Sequence, residues 1–507
     1  MQSLKLIRNC SQHRNAIAIR SDGKQHTYDE LLQRSHDCAR ALLMGTASSD
    51  LQERRVAFLL PAGADYIATQ WGIWRCGGIA IPLSLSATAS ELEYVISDSQ
   101  ATYVVASNQT VDRVAKICQT QQIPLLQAQE IRQLGTNEID PQSLPEISPQ
   151  RAAMILYTSG TTSRPKGVVL THAMIEAQIE ALVQAWQWQP DDKIPLFLPL
   201  HHIHGVINVL SCALWAGATI DAFAKFDMQK ILQRVSEGEY TVFMAVPTIY
   251  VKLIEAIEAM PINQREKVVA GFRAMRLMVS GSAALLESVH QKWTQMTGQV
   301  LLERYGMTEI GMGLSNPYIG QRRAGMVGYP LPNVEIRLKS EDNVSIVTDE
   351  FVAGEIQVRG PSVFQQYWNR PTATEESFDD GWFRTGDIAA IEDGYFRILG
   401  RNSVDIIKSG GYKISALEIE ASLLDHPEIL ECAVVGVADH TWGESVAVAA
   451  VLSQNARLEL ASLKSWCQDK LSKYKIPKHL LSVEALPRNA MGKVIKAKVQ
   501  QLFGGTL

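Results

Sequence analysis

The feature that most constrains the fold is a polar loop that directly follows a buried apolar run. The loop is Tyr157-Thr-Ser-Gly-Thr-Thr-Ser-Arg-Pro-Lys-Gly167, and the apolar run covers Ala152 to Leu156. After the loop come Val168 to His172 and then a predicted helix. A strand followed by small, hydroxylated and cationic residues is a common way for a chain to surround an anion. The sequence therefore predicts an anion site at the end of a strand.

The residues of this loop suit a phosphate group. Gly160 and Gly167 allow backbone N–H groups to approach a phosphate closely, while Lys166 supplies a point charge and Arg164 can add a second. The hydroxyl donors are Thr158, Ser159, Thr161, Thr162 and Ser163. The loop differs from a Walker A loop, because Lys166 precedes its glycine and no Gly-Lys-Ser/Thr follows. An ordinary polar turn is the alternative.

Length and composition limit the class of protein. A chain of 507 residues exceeds a single core, so at least two domains are expected. A net charge of −5 gives no indication of nucleic-acid binding, and no apolar run approaches the ~20 residues of a membrane span. The seven cysteines form no Cys-x-x-Cys pair, which is typical of reduced thiols in a cytoplasmic protein. A short mitochondrial presequence near the start is the alternative.

Predicted strands and helices alternate on both sides of the loop. Alternation of this kind indicates parallel sheets covered by helices, here as two stacked α/β units. The first unit is predicted from Val56–Leu60, Ala64–Arg75, Ile79–Ile81, Ala89–Ile96 and Tyr103–Val105, with little pattern in 107–149. The second is predicted from Ile194–Leu198, Gly205–Trp215, Val242–Val246, Ile249–Met260, Arg276–Ser280, Leu285–Gly298 and Val300–Arg304.

The pattern changes after Arg323. Period-two alternation in Glu335–Leu338 and Glu355–Arg359 predicts a small antiparallel β unit that ends near Leu399. About a hundred residues then remain, which is enough for a small α+β domain. We therefore predict an N-terminal domain of residues 1–400 and a C-terminal domain of residues 401–507.

Several segments carry residues suited to nucleotide chemistry. Glu303-Arg-Tyr-Gly-Met-Thr-Glu309 follows a predicted strand, at the kind of edge where open α/β sheets bind ligands. In this segment Tyr305 can stack on adenine, Thr308 can donate to a phosphate, and Glu309 offers the single carboxylate that suits Mg²⁺.

Three other segments are ambiguous by themselves. Thr385-Gly-Asp387 is a turn whose carboxylate can accept two ribose hydroxyls, and Lys493 near the C-terminus is typical of a solvated lysine. His201-His-Ile-His204 has no nearby Cys or Glu to complete a metal site, so a packed histidine loop is the simpler interpretation.

Taken together and in this order, the segments resemble the motifs of the adenylate-forming enzymes, which include acyl-CoA synthetases, peptide-synthetase adenylation domains and luciferases. The resemblance extends over nearly the whole chain. It implies an acid–thiol ligase that activates a carboxylate with ATP and then transfers the acyl group to a thiol such as CoA, with Mg²⁺ as cofactor. One departure is Ser163, where the family usually has glycine.

The resemblance also implies roles for individual residues. Lys493 would bridge the carboxylate and the α-phosphate, and His202 would gate the acyl pocket. The implied ATP/AMP-binding residues are Thr158, Ser159, Gly160, Thr161, Thr162, Lys166, Ser282, Tyr305, Asp387 and Arg401. Thr308 would be catalytic, and Glu309 would be both catalytic and metal-binding. The implied CoA-binding residues are Ser409, Gly410, Gly411 and Tyr412. Since Lys493 and the CoA-binding residues need the same site, the C-terminal domain would rotate about Asn402 or Ser403.

Within the family, the chain is most similar to malonyl-CoA synthetases in Glu303-Arg304, Gly320–Arg323 and Val327–Pro332. The similarity implies that Arg304 and His204 bind the second carboxylate of the substrate. The alternatives are a ligase for a medium-chain or other monocarboxylic acid, and an enzyme that loads a carrier protein in trans. Arg304 could instead pair with a protein acid such as Glu303. The sequence leaves the choice between a monomer and a homodimer open.

Overall fold

The computed structural model describes residues 4–21, 23–44, 48–135, 144–158, 164–340, 345–402, 404–409, 412–468, 470–488 and 494–504. The α-helices are α1 Lys5–Cys10, α2 Tyr28–Leu43, α3 Ala64–Arg75, α4 Ala89–Asp98, α5 Val111–Gln121, α6 Ala128–Gly135, α7 His172–Ala185, α8 Cys212–Ala216, α9 Met228–Ser236, α10 Pro247–Glu258, α11 Ile262–Ala274, α12 Glu287–Thr297, α13 Pro371–Glu375, α14 Ala416–Leu424, α15 Leu460–Gln468 and α16 Lys496–Phe503.

The strands are β1 Ile17–Ser21, β2 Lys24–Thr27, β3 Arg55–Leu59, β4 Ile79–Pro82, β5 Tyr103–Ala106, β6 Leu125–Gln127, β7 Ala152–Thr158, β8 Lys166–Thr171, β9 Lys193–Leu196, β10 Thr219–Ala222, β11 Val242–Ala245, β12 Leu277–Ser280, β13 Leu302–Met307, β14 Gly311–Ser315, β15 Tyr329–Pro330, β16 Glu335–Lys339, β17 Ile346–Val347, β18 Gly354–Arg359, β19 Gln366–Tyr367, β20 Phe378–Asp379, β21 Trp382–Glu392, β22 Tyr395–Arg401, β23 Ile406–Ser409, β24 Tyr412–Ser415, β25 Ile429–Asp439, β26 Gly443–Leu452 and β27 His479–Ser482. No helix in the described ranges is long and apolar enough to cross a membrane.

The first sheet has the strand order β19-β8-β7-β4-β3-β5-β6. The strands from β7 to β6 in this order pair in parallel, whereas β7 and β8 form an antiparallel pair. Residues 153–156 of β7 are buried because helices and the second sheet cover both faces, which explains the continuous apolar run. The polar loop therefore connects the two strands of a hairpin inside a mainly parallel sheet.

The second sheet contains β11-β12-β13-β14-β15, and a separate four-stranded sheet with the order β2-β1-β10-β9 lies beside it. The two groups meet where the backbone N–H of Thr241 donates to the carbonyl of Lys193 at 3.0 Å. One hydrophobic core includes Leu156 of the first sheet and Leu302 of the second, so the sheets are stacked. The predicted fold class of two stacked, mostly parallel α/β units is confirmed.

Three details of these units differ from the prediction. The strands β1 and β2 come from the start of the chain and form a four-stranded sheet with β10 and β9. The region 107–149, where little pattern was expected, contains α5, β6 and α6, because Val114, Ile117 and Cys118 give α5 a short buried stripe. The predicted helix at Gly205–Trp215 is a π-helix at His204–Ser211 followed by α8.

The predicted antiparallel β unit has the order β17-β16-β18-β21-β20, with β22 paired to β21. Beyond it, residues 407–503 contain two hydrophobic clusters of their own. There β23 and β24 form the predicted hairpin, with Ser409 opposite Tyr412, while Gly410 and Gly411 lie outside the described residues. The domain limits at residues 400 and 401 stay a prediction.

Candidate active site

Several of the predicted site residues lie at the carboxyl-end edge of the two sheets. Thr158 at the end of β7 lies opposite Lys166 at the start of β8. Half-buried Thr308 follows β13, and Ser282, with a φ of 69°, follows β12. Ligands of open α/β sheets bind at such an edge. The predicted residues outside the described ranges are Ser159, Gly160, Thr161, Thr162, Gly410, Gly411 and Lys493.

Three of the predicted nucleotide residues form one hydrogen-bonded chain. The hydroxyl of Tyr305 donates to Asp387 Oδ2 at 2.6 Å, and Arg401 Nε donates to Asp387 Oδ1 at 3.1 Å. Burial, followed by the charge of Asp387, raises the pKa of Tyr305, so this hydroxyl remains a donor. Because a carboxylate has about four lone-pair positions, Asp387 can still accept from ribose hydroxyls. The two hydrogen bonds hold the Asp387 carboxylate and the Tyr305 ring in one arrangement.

Glu309 lies in a second polar cluster, beside the polar loop. Its Oε1 accepts a hydrogen bond of 3.0 Å from the hydroxyl of Tyr367, and the Lys166 ammonium lies 4.9 Å from the centre of the Tyr367 ring. Burial raises the pKa of Glu309, and Tyr367, Arg401 and Lys166 oppose that shift. A buried carboxylate with cations nearby is suited to bind a metal ion together with phosphate oxygens.

Sequence analysis did not identify Tyr367. The residue lies in β19, which joins the first sheet by antiparallel pairing with β8, so that Tyr367 is opposite Val168. No local pattern links it to Glu309, which is 58 positions away in the chain. Only the sheet pairing brings the two side chains together.

Glu309→Gln is expected to raise the Mg²⁺ concentration for half-maximal adenylation at least ~10-fold, since an amide lacks the charge that binds the cation. A magnesium titration of pyrophosphate release measures this. Tyr367→Phe is the matched control, because it removes the hydrogen bond to Glu309 but keeps the carboxylate and the aromatic ring next to Lys166. The magnesium requirement of this control should rise less than that of Glu309→Gln. An unchanged magnesium requirement in Glu309→Gln would exclude Glu309 as a metal-binding residue.

Arg304 is buried, with 4% of its surface exposed, and lacks a carboxylate partner among the described residues. Its Nε and Nη2 atoms have no hydrogen-bond partner there. Burial lowers its pKa to about 9, so the guanidinium remains charged at neutral pH. A methyl group added at Gly281 would lie 2.6 Å from Arg304 Cζ, which shows how closely the backbone after β12 covers the guanidinium.

The neighbouring Glu303 is not the partner of Arg304. Side chains alternate along β13, so the two residues point to opposite faces of the sheet. Glu303 Oε1 instead accepts from the backbone N–H of Gly325 at 2.9 Å. Burial raises the pKa of Glu303 to about 8, so this carboxyl group is largely protonated at neutral pH. The predicted alternative of a Glu303–Arg304 pair is therefore not observed.

The raised pKa of Glu303 implies a dependence of stability on pH. An unfolded glutamate ionises near pH 4.3, whereas the folded carboxyl stays protonated up to about pH 8, so the protein loses stability as pH rises through this window. Glu303→Gln has no such dependence and can still accept from Gly325. The unfolding temperature of the variant, relative to the parent, should increase by roughly 2–6 °C between pH 5 and pH 8. A constant difference in unfolding temperature between variant and parent from pH 5 to pH 8 would show that Glu303 is ionised in the folded protein.

The histidine loop places His204 beside Arg304. His204 Nδ1 lies 3.0 Å from Ser282 Oγ, and its Nε2 has no partner among the described residues. Burial, followed by the charge of Arg304, lowers the pKa of His204, so its ring is neutral. Arg304 and the free Nε2 atom are thus two buried polar groups at one end of the predicted acyl site.

His202 lies next to a large cavity. Its ring centre is 4.0 Å from that of His201, and burial lowers the pKa of His202. The cavity has a volume of about 740 Å³, and its lining includes Tyr94, Tyr157, Arg164, His201 and His202. It connects the end of the polar loop with the histidine loop, so a second substrate can approach the site from this side. Sequence analysis did not identify the α4 residues that line it.

Two stretches of this sequence match known enzyme families. Residues 6–368 match the AMP-binding enzyme family, and residues 418–493 match the AMP-binding enzyme C-terminal domain. The chain belongs to the AMP-binding enzyme family. The predicted resemblance to adenylate-forming enzymes is thereby confirmed.

Individual relatives of this AMP-binding enzyme include the mitochondrial malonate–CoA ligase ACSF3 of Homo sapiens, with 44% identity over 96% of this chain and 90% of that protein. Among solved structures, ATP-bound MatB from Rhodopseudomonas palustris has 32% identity and a TM-score of 0.88 over 99% of each chain. O-succinylbenzoate CoA synthetase from Bacillus subtilis, in complex with ATP and magnesium ion, has 25% identity and a TM-score of 0.84 over 98% of this chain and 99% of that one.

Proposed function

We propose that this AMP-binding enzyme is an ATP-dependent malonate–CoA ligase that forms malonyl-CoA through a malonyl-adenylate. The observation that carries the proposal is Arg304, a buried cation without an acidic partner in the described part of the chain, next to the unpaired Nε2 of His204. The relatives named malonate–CoA ligases support the same substrate.

The chemistry of Arg304 distinguishes acids with one carboxylate from acids with two. A buried charge without a partner is costly, and a carboxylate in hydrogen-bond geometry offsets that cost. Malonate uses one carboxylate for activation, and its second can form a charge-assisted contact with Arg304. Butyrate has a similar length but leaves the guanidinium unpaired. The site should therefore select malonate over monocarboxylic acids.

The first step is attack of the substrate carboxylate on the α-phosphorus of ATP, with pyrophosphate as leaving group. In the proposed arrangement Arg304 holds the second carboxylate, Thr308 donates to the α-phosphate, and Asp387 accepts from the ribose. Lys166, at the end of the polar loop, would contact the outer phosphates. Negative charge accumulates in this step, so positioned donors and cations should supply most of the catalysis.

Magnesium fits the residues around Glu309. The described residues contain no group of three or more His, Cys, Asp or Glu side chains that could hold a metal ion by themselves. A single buried carboxylate matches Mg²⁺, which is bound by one or two carboxylates and shared with substrate phosphates. Glu309 would hold the ion, which would neutralise charge on the phosphates.

In the second step a thiol displaces AMP from the acyl group. We assign the thiol approach to the cavity beside His202 and to the hairpin that contains Ser409 and Tyr412. Tyr412 is exposed and stacks on Tyr474, with ring centres 4.3 Å apart. Lys493 and this hairpin are needed in different steps, so the C-terminal part would rotate about residues 402–403 between them.

A screen of pyrophosphate release across mono- and dicarboxylic acids, with and without CoA, tests this function. Malonate should give the highest kcat/KM, and CoA should accelerate turnover. A preference for butyrate or longer monoacids would favour the monocarboxylate ligase. Turnover that requires a carrier protein instead of CoA would favour loading in trans. The cytoplasmic location and the monomeric or homodimeric state are further predictions, which cell fractionation and light scattering test.

A further inference from the structure

A buried ion cluster lies at the start of α16. The Nζ atom of Lys496 is 2.7 Å from Asp405 Oδ1 and 2.8 Å from Glu420 Oε1. Its side chain is 11% exposed, and those of the two acids are 17% and 15% exposed. Burial lowers the pKa of Lys496, but the two carboxylates raise it above its ordinary value. Lys496 is therefore a charged lysine held in the interior between two acids.

Asp405 links this cluster to the predicted hinge. Its Oδ2 accepts a hydrogen bond of 3.1 Å from the backbone N–H of Arg401, the residue that also contacts Asp387. The carbonyl of Asp405 accepts from the N–H of Ala416 at 2.8 Å. One side chain thus joins Lys496 to the backbone on the other side of residues 402–403.

Glu420 links the cluster to the C-terminal sheet. Its Oε1 atom, which pairs with Lys496, also accepts from the backbone N–H of Val434 at 2.8 Å. The start of α16 is therefore fixed to α14 and β25 as well as to the hinge segment.

Residues 489–493 lie outside the described residues, and the two residues that flank them are paired with each other. Arg488 and Val494 form an antiparallel bridge, and the N–H of Ile495 donates to the carbonyl of Pro487 at 2.8 Å. Arg488 also pairs with Glu431 at 2.6 Å. Lys496 is two residues after Val494. Its ion pairs therefore fix the position of the Arg488–Val494 bridge, which is the base of the segment 489–493.

We propose that Lys496 is a positioning residue for adenylation: through Asp405 and Glu420 it fixes the base of the segment that carries Lys493 relative to Arg401. The inference rests on the proposed role of Lys493 in the first step. Without the ammonium group, two buried carboxylates would lie close together with no cation, and the start of α16 would shift to admit water or a proton. A displacement of about 1 Å at a reacting group can reduce rate ~100-fold.

Lys496→Met tests the proposal through the two half-reactions. Malonate-dependent pyrophosphate exchange should lose at least ~10-fold in kcat, with KM values for ATP and malonate changed less than ~3-fold. Thioester formation from supplied malonyl-adenylate should stay within ~3-fold of the parent, because Lys493 is not needed there. Lys496→Arg should restore exchange. Lys498→Met is the matched control, since Lys498 is exposed on the same helix, and should leave both reactions unchanged.

Equal losses in both half-reactions, or an unchanged exchange rate, would overturn the proposal. If circular dichroism shows that Lys496→Met does not fold, Asp405→Asn replaces it. This variant removes one charge of the cluster and keeps the side-chain shape. It must show the same selective loss of pyrophosphate exchange. Failure of the proposed function would give a different result: the parent enzyme itself would show no malonate-dependent pyrophosphate exchange. A parent that is active, with Lys493→Ala inactive and Lys496→Met fully active, contradicts only the role of Lys496.

Discussion

Arg304→Ala should lower kcat/KM for malonate by at least ~30-fold, because breaking a buried charge pair costs roughly 2–5 kcal/mol and about 1.4 kcal/mol is tenfold in affinity. The buried guanidinium has no carboxylate partner in the described part of the chain, so the substrate would supply it. Butyrate has no second carboxylate and should lose far less activity, or gain some. The measurement is kcat/KM for both acids on the parent and the variant.

Arg359→Ala is the matched control for this experiment. Arg359 pairs at 2.6 Å with Glu335, and both side chains are at least 50% exposed, so the same substitution removes an arginine at the surface. Its kcat/KM should stay near that of the parent for both acids. If Arg304→Ala lowers activity on malonate and butyrate in parallel, Arg304 does not recognise the second carboxylate and the monocarboxylate hypothesis gains support.

Lys493→Ala should reduce adenylation by about 100-fold or more while thioester formation from a supplied malonyl-adenylate remains largely intact. The physical reason is that the lysine charge is needed where the carboxylate meets the α-phosphate, and the second step creates no such contact. Pyrophosphate exchange measures the first step, and CoA-dependent consumption of the adenylate measures the second.

Lys498→Ala serves as the control for Lys493→Ala, because it removes an exposed lysine a few residues away. Both half-reactions of this control should proceed at the parent rates. Equal losses of the two steps in Lys493→Ala would show that Lys493 has a structural role and takes no part in adenylation.

The alternation of strands and helices was predictable because each element of the two α/β units carries its own local pattern. The strand predicted at Val242–Val246, for example, is β11, and Pro247 in the first turn of α10 follows it. The π-helix at His204–Ser211 was predicted as a plain helix, since an apolar segment of this length has no feature that separates the two helix types. The strands β1 and β2 were missed; β2 pairs only with β1, and β1 pairs with β10, which is some 200 residues away.

The site was predictable where a motif is contiguous and unpredictable where distant strands meet. Tyr305, Thr308 and Glu309 come from one segment, and the structure places them at one sheet edge. Tyr367 joins Glu309 only through the pairing of β19 with β8. The lack of a partner for Arg304 also could not be read from the sequence, because an acidic residue directly precedes it and the strand turns that residue away.

A competition experiment determines whether this AMP-binding enzyme makes malonyl-CoA in preference to other thioesters. The parent enzyme is incubated with ATP, Mg²⁺, CoA and equal concentrations of malonate, acetate, butyrate and succinate, and the acyl-CoA products are quantified by mass spectrometry together with AMP. Malonyl-CoA should exceed every other product at least ~10-fold, with one AMP formed per thioester. A product mixture dominated by butyryl-CoA or acetyl-CoA, or AMP formed without any CoA thioester, would contradict the proposed function.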